Sequence, residues 1–207
     1  MTPRFLDRFR PGTVPQPAPT FTGLAQVRAY WEGLRRNGGL PDRAAIDPRG
    51  LVGMLDRVFL AERIGRGLVQ VRVAGSRLAD LADIDLRGLP LSCLFTVESR
   101  PQLALLTERA FAAPAVVELD LGVDRAPAIG PVARLLLLPL ADEGACRPML
   151  GALSFGVDAP PHGKLQLHSW RDEVLPPQSG TTPGVTRPVP SRPIRRIGHL
   201  ALVHVND

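Results

Sequence analysis

Glu118 and Asp120 stand two residues apart in the segment Ala115 to Gly122, a spacing that puts both carboxylates on one face of a strand, where general acid–base catalysis could use them. Val117, Leu119 and Leu121 alternate with them, so the polar face of a half-buried sheet accounts for the pair without chemistry. Gly65-Arg66-Gly67 opens like a phosphate-cradling GxGxxG, but position 70 is Gln and the run lies between two strand-like segments, which makes it a hairpin turn. Cys93 and Cys146 are far apart and share no metal-ligand spacing with each other or with a histidine. His162, His168, His199 and His204 all follow residue 158, and no metal site is expected among them. There is no Walker sequence, GxSxG elbow or HExxH. No nucleophile, base and orienting partner can be assembled, so catalytic residues are not assigned and an enzyme is not expected.

The elements that surround these residues follow from periodicity. Leu24, Val27, Trp31 and Leu34 recur at helical spacing, with Gln26, Arg28, Glu32, Arg35 and Arg36 between them, until Gly38 and Gly39 stop an amphipathic helix. Asp47 before Pro48 reads as a cap followed by proline at the first helical position, starting a short helix to about Leu55. Val58 to Ile64 and Leu68 to Ala74 are strands, the second alternating Val69, Val71 and Val73 with Gln70 and Arg72. Short helices are expected at Ser76 to Ala82 and near Glu98 to Ala112, then strands at Ala115 to Gly122, Val132 to Leu140 and Met149 to Val157. Two strands, helices and three strands predict an α+β fold, a five-stranded antiparallel sheet with helices on one face and an extra N-terminal helix.

Composition bounds the rest. In 207 residues the apolar fraction is 44% and the aromatic fraction only 5%, so the chain can bury one core and that core is aliphatic. The net charge of +5 raises the question of nucleic acid, but Lys164 is the only lysine and the arginines are interleaved with acids except at Arg187, Arg192, Arg195 and Arg196. Nucleic-acid binding is therefore not expected. The residues divide into a flexible leader, 1–23, a domain, 24–157, and a Pro/Arg-rich tail, 158–207, with a terminal strand expected at 197–205. No apolar run is long enough for a signal peptide or a membrane span, and the cysteine usage suits a reducing compartment, so a cytoplasmic location is expected.

Several local patterns together resemble the PAS domain, in detail the stand-alone PAS-like proteins common in alphaproteobacteria. They are Tyr30-Trp31-Glu32-Gly33-Leu34-Arg35, then Leu40-Pro41-Asp42-Arg43 and Ile46-Asp47-Pro48; Val71-Arg72-Val73-Ala74-Gly75-Ser76; Asp85-Leu86-Arg87-Gly88; and the proline-containing strand Arg134 to Leu140. Trp31, Arg35, Pro41, Arg43, Asp47, Pro48, Arg72, Gly75 and Gly88 carry the signature, and the similarity spans about Leu24 to Val157. The sequence departs from that family in its middle helices, where Leu and Ala replace more polar and aromatic residues.

The resemblance implies a non-catalytic signalling module that binds a small ligand or partner protein and regulates a separate output protein, commonly as a homodimer. The expected pocket lies between the sheet and the middle helices, with Val71, Leu78, Leu81, Phe95, Leu106, Leu119 and Leu137 as walls and a small apolar molecule as occupant. Haem and flavin are not expected. Residues 75 to 113 contain no histidine to serve as an axial ligand, and Ser92-Cys93-Leu94-Phe95 lacks the Asn and Arg of the photosensory Asn-Cys-Arg-Phe-Leu motif. The alternative is a ligand-free adaptor that docks a protein signalling partner through the N-terminal helix, the sheet face and the basic tail.

Overall fold

The computed structural model describes residues 21, 23–125, 131–142, 144, 146–156 and 162–176. Helix α1, Leu24–Leu34, forms as its periodicity predicts and buries Leu24, Val27 and Trp31. The stretch expected as a turn and short helix is two single 3₁₀ turns, Arg43–Ala45 and Pro48–Leu51, the second capped by Asp47, whose side chain accepts from the Arg49 N–H. Gly50 and Gly53 in this run deny a longer helix the propensity it would need.

Strands β1, Val58–Gly65, and β2, Leu68–Ala74, form the expected hairpin. Helix α2, Ser76–Ala82, a 3₁₀ turn at Leu91–Leu94 and helix α3, Arg100–Ala112, connect it to β3, Ala115–Val123, β4, Ala133–Pro139, and β5, Pro148–Phe155. Pro101 in the first turn of α3 gives up an N–H that would have had no partner in the helix.

Among the described residues the sheet has six strands, not five. Strand β6, Leu165–Val174, adds to β3, giving the order β2-β1-β5-β4-β3-β6 with antiparallel pairing throughout. It falls inside 158–207, the segment read as tail, because the proline density on both sides masks a proline-free run. Its pattern is also weak: β6 is a largely exposed edge strand, so Gln166, His168, Arg171 and Glu173 need not be apolar. The leader to residue 20 and the strand expected at 197–205 lie outside the described residues.

Side chains alternate across the sheet into two cores. Val69, Val71, Val117, Leu119, Leu121, Leu135 and Leu137 face α2 and α3. Val116, Leu136, Leu138, Leu150 and Ala152 face the other way, under α1 and the Pro48–Leu51 turn. The sheet is thus covered on both faces, the second by the N-terminal helix.

Candidate functional site

The seven expected wall residues come from five elements and the loop before α3, and they converge. Val71 on β2, Leu78 and Leu81 on α2, Phe95 after the Leu91–Leu94 turn, Leu106 on α3, Leu119 on β3 and Leu137 on β4 belong to one cluster, each 2% exposed or less. They are brought together with Phe59, Leu86, Leu91 and Leu94, which the sequence reading did not assign. β1 opens on the continuous apolar run Val58-Phe59-Leu60-Ala61, in which no alternation singles out Phe59, and the three leucines sit in the turns and coil between α2 and α3, where no period marks the buried side.

This interior is apolar. Thr107 on α3 donates to the Ala104 carbonyl one turn back, at 3.0 Å, so its hydroxyl is spent locally. Ser99 closes the adjoining loop, its Oγ accepting the Leu167 N–H and lying 3.0 Å from the Thr96 hydroxyl. Among the described residues no three His, Cys, Asp or Glu side chains gather to hold a metal ion. Phe95 also borders an open groove of about 450 Å³ with Thr96, Arg100, Asp124, Lys164 and Gln166, in which Lys164 Nζ donates to the Cys93 carbonyl at 2.7 Å. Cys93 is half-buried and Cys146 exposed, both as free thiols.

The signature residues lie elsewhere, and most fasten the N-terminal unit to the sheet. Trp31 is fully buried, and its Nε1–H donates to the Pro139 carbonyl on β4 at 3.0 Å. Arg35 lies over the Trp31 ring at 5.3 Å and donates to the Gly38 and Gly39 carbonyls, at 2.7 and 3.0 Å, closing the loop after α1. The Pro41 carbonyl accepts the Ala141 N–H at 2.9 Å. The Asp47 N–H donates to the Tyr30 hydroxyl at 2.7 Å, which ties the Pro48 turn to α1.

Arg43 and Arg72 share one purpose. Arg43 Nη1 donates to Glu62 Oε1 at 2.6 Å and Arg72 Nε to Glu62 Oε2 at 2.7 Å, so two guanidinium groups clamp a carboxylate that is 8% exposed. Removing either arginine would leave the buried carboxylate with a single charged partner. Gly75 allows β2 to cross the segment before β1, since a Cβ there would overlap the Leu55 and Asp56 carbonyl groups. Gly88, at φ 80°, takes the left-handed turn that lets its carbonyl accept from Gln70 Nε2.

Glu118 and Asp120 are not free acids. Asp120 accepts from Arg134 Nε at 2.7 Å and from Ser169 Oγ at 3.1 Å; Glu118 accepts from Arg171 Nε at 3.1 Å and lies 3.7 Å from Arg28. They occupy the face that α1 partly covers, where the arginines neutralise them.

A second carboxylate joins the helix layer to the hairpin. Glu108 on α3 accepts from Arg63 Nε and Nη2, at 2.7 and 3.0 Å, and from the Gly67 N–H at 2.8 Å. The Arg63 guanidinium, with the Gly67 N–H behind it, holds the Glu108 carboxyl below its usual range. A depressed folded-state pKa contributes stability above the unfolded carboxylate value, and that contribution is lost as pH falls through the lowered one. Glu108→Gln is therefore expected to flatten the acid limb of the stability curve, read by urea unfolding from about pH 7 down to about pH 3. An acid limb as steep as that of the wild type would show that the latch carries no stability.

A family model described as PAS domain matches residues 20–154, well over half of the chain, and ends before β6. Comparison with curated proteins finds no match. The matched span contains β1 to β4 and all but the last residue of β5, both helix layers, all seven wall residues and every signature residue, and on that match the chain belongs to the PAS domain family.

Proposed function

We propose that this PAS domain is a non-catalytic regulatory module that acts as a homodimer on a separate output protein, and that its interior is the receptor for a small apolar molecule. The observation that supports the ligand class is the convergence of Val71, Leu78, Leu81, Phe95, Leu106, Leu119 and Leu137 in one apolar cluster, with the neighbouring Thr107 and Ser99 hydroxyls engaged within the chain. A polar or charged ligand would leave its groups unpaired there, at a cost of about 1–3 kcal/mol for each buried donor or acceptor. An apolar one gains roughly 25 cal/mol for each Å² it buries. Glu108, linking α3 to the β1–β2 turn, offers a route by which a shift of α3 would reach the hairpin.

The adaptor reading has its own support, because seven walls at 2% exposure or less already occupy the interior with side chains. On the opposite face Val73 stands beside Leu60 on the hairpin and is exposed, and Val52 and Leu55 in the segment before β1 are exposed as well, apolar side chains available to a partner protein. Native mass spectrometry of the freshly purified full chain separates the two. A stoichiometric extra mass that denaturation releases is the expected result for a ligand receptor; bare protein from several expression hosts would sink the ligand and leave the adaptor.

A further inference from the structure

β6 ends the sheet on the β3 side, and among the described residues β3 is the strand it pairs with. The Leu175 N–H points inward, donating to the Pro114 carbonyl at 2.8 Å. Because N–H directions alternate along a strand, those of Val174, Asp172 and Trp170 point outward from the sheet. Among the described residues only the start of this outer edge is closed: the Thr96 N–H donates to the Leu165 carbonyl, and Ser99 Oγ accepts from Leu167.

Natural edge strands usually repel other strands with free charge. Here the charges are compensated inside the chain: Arg171 by Glu118, Asp172 by Arg109 at 2.7 Å, Glu173 by Arg28. Between them Trp170 is 45% exposed and Val174 55%. The edge is also self-complementary. In an antiparallel pairing of two β6 strands about Asp172, Trp170 faces Val174 of the second copy, and Arg171 faces its Glu173, each contact occurring twice. Trp170, Asp172 and Val174 share the α3 face, being opposite Leu119, Val117 and Ala115, while Arg171 and Glu173 share the other, so every cross-strand pair meets on one side. The two Asp172 carboxylates meet on the axis, each with its own Arg109. Two alternative registers are disfavoured: centring on Trp170 brings in the extra residue His168, where the register with β3 shifts, and centring on Val174 places Pro176, which has no N–H, opposite Asp172.

We propose that two copies of this chain join through the outer edges of β6, antiparallel and centred on Asp172, into a continuous twelve-stranded sheet. This gives the homodimer of the reading above its interface and rests on that reading.

Val174→Pro removes an outward N–H while leaving the β3 ladder its donors. In sedimentation equilibrium on the full chain the wild type is expected to be a dimer and Val174→Pro to dimerise about tenfold or more weakly, since two symmetry-related hydrogen bonds are lost. Circular dichroism reports whether the variant is folded. Asp172→Cys, in a Cys146→Ser background, is expected to form a disulfide-linked dimer on mild oxidation, because residues paired across such an axis have Cα atoms about 5.5 Å apart. A wild-type monomer overturns both the dimer and its interface. A dimer that Val174→Pro leaves intact, or that Asp172→Cys does not cross-link, overturns the interface alone; if the proline variant does not fold, the cross-link decides.

Discussion

Trp31→Ala is expected to lower the unfolding free energy by about 3–5 kcal/mol, the usual cost of truncating a fully buried aromatic side chain to alanine. Trp31 has no exposed surface, and with Val27 and Leu24 it lies over Leu136, Leu138, Leu150 and Ala152 on the outer face of the sheet. It also supplies the hydrogen bond to the Pro139 carbonyl. The loss therefore combines apolar transfer, a cavity and a buried acceptor left without its donor. Trp31→Phe keeps most of the ring and isolates the last of these, so it is expected to cost less, about 1–3 kcal/mol. Urea unfolding of both variants measures the difference. A Trp31→Ala loss under about 1 kcal/mol would mean that α1 is not an integral layer, and the fastening role assigned to the signature residues would fall with it.

That role was invisible in the sequence, although the residues were not. Trp31, Arg43, Asp47 and Arg72 could be picked out by pattern, but their partners are remote: Pro139 is 108 residues from Trp31, and Glu62 meets Arg43 from a different element. Period-two alternation placed β2 and β3, and helical spacing placed α1, because each has one buried face whose repeat is written locally. The same logic explains what was lost. Leu86, Leu91 and Leu94 are buried by tertiary packing of turns and coil, and in β6 the alternation that starts at Leu165-Gln166-Leu167 is interrupted by the extra residue His168 and followed by charged positions. Glu118 and Asp120 read correctly as a sheet face, yet that face is partly roofed by α1, and only the fold could show that Arg28, Arg134 and Arg171 neutralise them.

Leu106→Ala decides between a filled interior and one built to receive a molecule. Leu106 is fully buried on α3 within the cluster that contains all the wall residues. If side chains occupy that volume completely, the substitution leaves a cavity and is expected to destabilise the protein by about 2–5 kcal/mol. An apolar cavity of this kind stays dry and takes up small apolar molecules, so benzene or xenon should restore part of the loss. The recovery follows RT ln(1 + [L]/Kd), about 2.7 kcal/mol at a hundredfold excess over Kd. If Leu106 instead borders space that a ligand occupies, truncation removes fewer protein contacts. The purified protein would then lose less than about 1.5 kcal/mol, below the range for a fully packed site. It would also lose the extra mass that the wild type carries. A large loss with benzene rescue and no copurified ligand would favour the adaptor, because the helix layer would then be held by its own side chains and the remaining contact surface would be the outside of the domain.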